Sequence, residues 1–191
     1  MYPSDAILLR CNAVPREAVL AALSALINEC GAAGLRTQRE KDTGEVYAWL
    51  DFAYRKDIGP DLVARLEDMA RKLFPGATLD AVPLKRMQYI EGASSGAPIG
   101  IHYVVEMEYP EGVAPVTHWY NTEHLPGLSA VPGNVRSTRY LSAAGRSFAC
   151  YDLVSEDVPQ TPEWMQWRET ALTLSVRQYY KDMKRGLYRA A

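Results

Sequence analysis

Hydrophobic and polar positions repeat the same order of elements twice along the chain. Ala6-Ile7-Leu8-Leu9 is a short continuous apolar run and predicts a buried strand. Pro15 opens a helix where a missing N–H costs nothing, and Val19, Leu20, Leu23, Leu26 and Ile27 follow at helical spacing until Gly31 stops it. Residues 35–40 and 45–54 predict two strands joined by the turn Lys41-Asp42-Thr43-Gly44. The second of them alternates, with Val46, Ala48, Leu50 and Phe52 on one face and Tyr47, Trp49 and Asp51 on the other. Leu62, Val63, Leu66, Met69, Ala70 and Leu73 make a second helix that ends before Pro75-Gly76, and residues 79–90 supply another strand. The order is β-α-β-β-α-β.

Residues 92–98, Gly-Ala-Ser-Ser-Gly-Ala-Pro, are small and polar and read as a junction. The order then restarts: a strand over 99–109, a helix over 113–131, a hairpin of 135–141 with 148–154, a helix over 162–181, and a short strand at Gly186-Leu187-Tyr188. The expectation is an α+β chain of two ferredoxin-like β-α-β-β-α-β units in tandem, 1–91 and 99–191, with 92–98 as linker. The two would pair as a pseudo-dimeric α/β barrel. A homodimer in which only the second halves pair is the open alternative.

Charge and cysteine content narrow the partners. Lys plus Arg total 21 against 23 Asp plus Glu, with no basic stripe, so neither nucleic acid nor an anionic membrane is expected as partner. No apolar stretch is long enough to span a bilayer, and the first residues do not read as a secretory leader. Cys11, Cys30 and Cys150 have no CxxC spacing, which points to reduced thiols in a cytoplasm and against a disulfide frame or a metal site.

The candidate chemistry gathers on the helix over 113–131. Val113, Val116, Tyr120, His124, Leu128 and Val131 advance by three or four and share one stripe, so His124 sits on the apolar face one turn beyond Tyr120. Pro126 leaves the Thr122 carbonyl without its donor and predicts a kink beside the imidazole. The stretch from His118 to Gly133, with Trp119-Tyr120, then Glu123-His124-Leu125-Pro126, then Pro132-Gly133 before a strand, resembles the EthD-like branch of the dimeric α/β-barrel superfamily. Arg139-Tyr140, Cys150 to Leu153, and Trp164 through Arg168 to Tyr188-Arg189 look like its following elements. The resemblance implies a sheet curved around a pocket with helices outside. It also implies small organic substrates turned over without metal or organic cofactor, as in methylmuconolactone isomerases and polyketide cyclases. His124 matches the motif histidine, with Tyr120 and Glu123 as its aromatic and acidic flanks.

Other residues are weighed on geometry. Ile101, Tyr103, Val105 and Met107 should meet the helices, which turns His102, Val104 and Glu106 the other way. His102 and Glu106 stand about 13 Å apart by strand rise and cannot pair, though both could border one cavity. The expected catalytic residues are His124, Tyr120 and His102, and the expected substrate-binding residues are Glu106, Arg139, Asp152 and Trp119. Bland readings stand beside these: His124 as a buried ring locking the helix, the His102 face as solvated, Asp152 as an edge charge. His118 reads as a surface residue, and Trp164 and Trp167 as core neighbours on one helix face. The functional expectation is a cofactor-independent isomerase, cyclase or lyase doing acid–base chemistry on a small aromatic-derived or lactone-like acid. The alternative is a non-catalytic small-molecule-binding or stress-response protein. Haem-associated oxygenation is weaker, because the histidine has no recognisable haem context.

Overall fold

The alternation and the helical stripes form the elements they predict. The computed structural model describes residues 1–12 and 19–190, so the helix start expected at Pro15 lies outside the described residues. The first round runs β1 (Tyr2–Cys11), α1 (Val19–Cys30), β2 (Gly34–Glu40), β3 (Val46–Ile58), α2 (Pro60–Leu73) and β4 (Leu79–Glu91). The second runs β5 (Ile101–Glu108), α3 (Val113–Trp119), a π turn (Tyr120–His124), α4 (Leu125–Ser129), β6 (Asn134–Ser142), β7 (Ser147–Leu153), α5 (Pro162–Arg168), α6 (Ala171–Val176) and β8 (Lys181–Ala190). The fold is α+β, with neighbouring strands β4-β1-β3-β2 and β5-β7-β6.

The chain forms two compact units, Met1–Arg86 with Tyr188–Ala191, and Met87–Leu187. In the first, β1 pairs antiparallel with β3 and β4, and β3 pairs antiparallel with β2. Val46, Ala48 and Leu50 of β3 pack with Leu26 of α1 and Leu66 and Ala70 of α2. On the other face of β3, Trp49 Nε1 donates to Gln38 at 3.1 Å and Tyr47 meets Tyr188 at 4.4 Å.

In the second unit, β7 lies between β5 and β6, antiparallel to both. Ile101, Tyr103 and Met107 of β5 pack against Val116, Trp119 and Tyr120, so the apolar face of β5 does meet the helices. Residues 92–98 are tied to this unit, with Gly92 N–H donating to Val135 O at 2.9 Å and Ala93 N–H to Ser129 O at 2.8 Å.

Two expected helices differ in detail. The one over 113–131 is interrupted by the π turn, and Val113 at its start is exposed. The one over 162–181 breaks at Glu169-Thr170, because the Thr170 side chain accepts the Thr173 N–H and so starts α6 afresh. The last strand begins at Lys181 rather than Gly186.

Candidate functional site

Pro126 has no N–H to offer the Thr122 carbonyl, and the helix widens by one residue there: Leu125 N–H donates to Tyr120 O, five positions back. The expected kink is therefore a π turn, and it keeps both Tyr120 and His124 buried. The His124 ring stacks on Trp119 at 4.0 Å and meets Tyr120 edge-on at 5.6 Å. Trp119 Nε1 donates to Thr173 Oγ1 at 2.9 Å, and that hydroxyl donates to Trp167 O at 3.1 Å. Thr173 N–H in turn donates to Thr170 Oγ1 at 3.0 Å, and the Thr170 hydroxyl donates to Glu123. Glu123, the acidic residue beside the histidine, thus anchors the start of α6. Gly127 lets α5 approach closely, since a Cβ there would lie 2.2 Å from the Trp167 ring.

These contacts line a half-open cavity of about 50 Å³ within the second unit. It has room for roughly four water-sized spheres, the footprint of a single small ring or a short organic acid. Its walls are aromatic, from Tyr103, Trp119, Tyr120, Tyr151, Trp164 and Tyr180, with His124 among them and Arg168, Arg177 and Arg185 also lining it. Three of the lining residues carry a buried polar atom with no partner: His124 Nδ1, Trp164 Nε1 and Tyr180 Oη. Buried polar atoms are almost always hydrogen-bonded, so three orphans around one cavity mark a place where a ligand or ordered water completes them.

Burial lowers the His124 pKa to about 3, and the nearby charges of Arg168 and Arg177 lower it too, against an opposing interaction with the Trp167 backbone. The ring is neutral at physiological pH. Nδ1 is the ring nitrogen that is buried without a partner. Burial holds the Tyr120 phenol well above its ordinary value, with Arg139 pulling the other way, so Tyr120 stays a donor. Arg139 is fully buried beneath it, 4.4 Å from the Tyr120 ring, with Nη2 donating to Tyr109 Oη at 2.6 Å and Nη1 unpartnered.

The remaining expected residues lie elsewhere in the unit. His102 and Asp152 are cross-strand partners of β5 and β7, and they bond through His102 Nδ1. The second Asp152 oxygen accepts from Arg136 Nε. Glu106 pairs instead with Arg146, at 3.2 Å. None of His102, Asp152, Glu106 and Arg139 lines the cavity, whereas His124, Tyr120 and Trp119 all do. Sequence reasoning passed over Trp164 as ordinary core and did not single out Tyr180 or the three arginines. The signal available was the alternation Met183, Arg185 on β8, which puts both on one strand face.

The Asp152 carboxyl is opposed by burial, but the hydrogen bonds and charges of His102 and Arg136 outweigh it and lower its pKa below 3.8. Its stabilising contribution is full above that value and is lost as pH falls through the lower folded one. Asp152→Asn is expected to cost about 1–3 kcal/mol in urea denaturation near pH 6. The gap from wild type should narrow near pH 3.

No family model and no curated protein matches the chain. Solved structures do. A structure described as an anthrone oxidase-like protein aligns at TM-score 0.63 and 12% identity, covering 97% of this chain and 91% of that one. An uncharacterised ferredoxin fold protein related to antibiotic biosynthesis monooxygenases, from Listeria monocytogenes, aligns at TM-score 0.59 and 8% identity over 98% and 95%. A heme-degrading enzyme from the same organism aligns at 0.56 and 9% over 97% and 99%. The chain has the fold of these ferredoxin-fold proteins. A porphyrin does not fit the cavity found here, because Trp119, Trp164 and Tyr151 are each 0–1% exposed and would have to leave. Among the described residues no helix is long and apolar enough to cross a membrane.

Proposed function

We propose that the second unit binds a small, single-ring organic acid in the aromatic cavity and carries out cofactor-independent acid–base chemistry on it, as an EthD-like member of the dimeric α/β-barrel superfamily. What supports this reading above all is the set of orphaned atoms, His124 Nδ1, Trp164 Nε1 and Tyr180 Oη, around one aromatic space. His124 Nδ1 accepts a proton from a carbon next to the ligand's carbonyl. The C–H electron pair becomes the enolate C=C bond, the carbonyl π pair moves to oxygen, and that oxygen is met by a phenol O–H, that of Tyr120 or Tyr180. His124 then returns the proton to a different carbon, which completes an isomerisation. Negative charge in the cavity offsets the burial that holds the imidazole neutral, so the base strengthens only when ligand is present. Arg139, behind the Tyr120 ring, favours negative charge in the cavity through the phenol it underlies.

The test is deuterium exchange. Single-ring enolisable acids, such as furanone acetic acids and cyclohexenone carboxylates, are incubated with the protein in deuterated water and followed by mass spectrometry. Wild type is expected to exchange the carbon-bound proton above background, and His124→Phe to lose about a hundredfold or more of that rate. Equal rates in a folded His124→Phe variant would remove the catalytic role. Stoichiometric binding with no exchange would favour the non-catalytic small-molecule-binding protein, which the aromatic cavity also suits.

A further inference from the structure

The cavity wall carries three arginines and not one acidic residue. Arg168 and Arg185 have no carboxylate partner among the described residues, and Arg168 Nη1 donates to Met165 Sδ at 3.5 Å. Arg177 is held by Arg168 O at 2.6 Å and by Glu169 at 3.2 Å. The three converge on the same groups: Arg168 and Arg177 act on the His124 ring, Arg185 and Arg168 on the Tyr103 phenol, Arg177 and Arg185 on the Tyr180 phenol. Arg177 and Arg185 are exposed and Arg168 half-buried, whereas His124 and Trp164 are buried, so positive charge marks the mouth and neutral acceptors and donors mark the floor. Three cations beside an apolar space, two of them without a carboxylate partner among the described residues, hold an anion well, and guanidinium suits a carboxylate in particular.

Resting on the cavity reading above, we infer that the ligand enters ring first, with its carboxylate held at the mouth by Arg168 and Arg185 and its far polar end reaching the His124 Nδ1 acceptor. Such a ligand is a ring with a carboxylate at one end and a hydroxyl or enolisable carbonyl at the other. Arg177, already occupied by Glu169, braces Arg168 rather than taking the anion itself.

Calorimetric titration of the full chain with 4-hydroxybenzoate and its neutral isostere 4-hydroxybenzamide tests this. Wild type is expected to bind the acid about tenfold or more tightly than the amide. Arg185→Gln, at an exposed position that does not threaten folding, should remove most of that difference, and Arg168→Gln should narrow it in the same direction. His124→Phe should weaken acid and amide alike. If the acid holds no advantage over the amide, or keeps it in both arginine variants, the carboxylate assignment is overturned while the cavity reading stands, provided His124→Phe still weakens the amide. If neither compound binds wild type, or His124→Phe changes neither, both fall together.

Discussion

Trp119→Ala is expected to destabilise the protein by about 3–5 kcal/mol, the range for deleting a fully buried tryptophan. Its side chain is 1% exposed, stacks on His124 at 4.0 Å, and donates to Thr173 at 2.9 Å. Alanine leaves a void on one side of the imidazole and removes the donor that ties α3 to α6. Trp119→Phe keeps a ring in place and loses mainly the hydrogen bond, so it should cost about 1 kcal/mol from that term plus a smaller packing loss. Urea denaturation of the three proteins at one pH gives the comparison. A loss under about 1 kcal/mol for alanine would mean that Trp119 does not form the floor on which His124 rests.

Stability should also fall steeply as the solution is acidified from about pH 6.5, and His124 is the expected cause. In the folded protein its pKa is lowered to about 3 against an ordinary value of 6.5. Between those two values the unfolded chain takes up a proton that the folded chain refuses, so acid favours unfolding. One such group contributes a slope of about 1.4 kcal/mol per pH unit across that window, and none above it. His124→Phe removes the slope, so its stability relative to wild type should improve steadily as pH is lowered from 6.5 toward 4. Taking the difference between the two proteins cancels the carboxylates common to both, Asp152 included. Parallel pH curves would show that His124 is not held neutral by burial.

Much of this fold was legible because each element carries its own periodicity. Val46, Ala48 and Leu50 of β3 pack into the core as the alternation predicts, although Tyr47 and Trp49 on its other face are buried too. The stripe Val116, Tyr120, His124, Leu128 and Val131 is buried. Pro126 announced a helix defect, although a proline alone does not say whether the backbone kinks or inserts a residue. The His102–Asp152 pair escaped sequence reasoning, since contact between β5 and β7 depends on strand order and register rather than on spacing along either strand. The arginines escaped for a related reason. Arg168 closes α5, Arg177 begins a short turn and Arg185 lies on β8, so only the tertiary fold brings them to one mouth. The low pKa of His124 comes from the depth of its burial, which no single residue near it encodes.

Nitrogen NMR of the His124 ring, with and without 4-hydroxybenzoate, tests the central claim most directly. Near neutral pH the account predicts a neutral ring with its hydrogen on Nε2 and a free Nδ1 acceptor, whose resonance moves in a saturable way as the acid is added. An imidazolium at neutral pH, or an Nδ1 resonance that the acid leaves untouched, would contradict it.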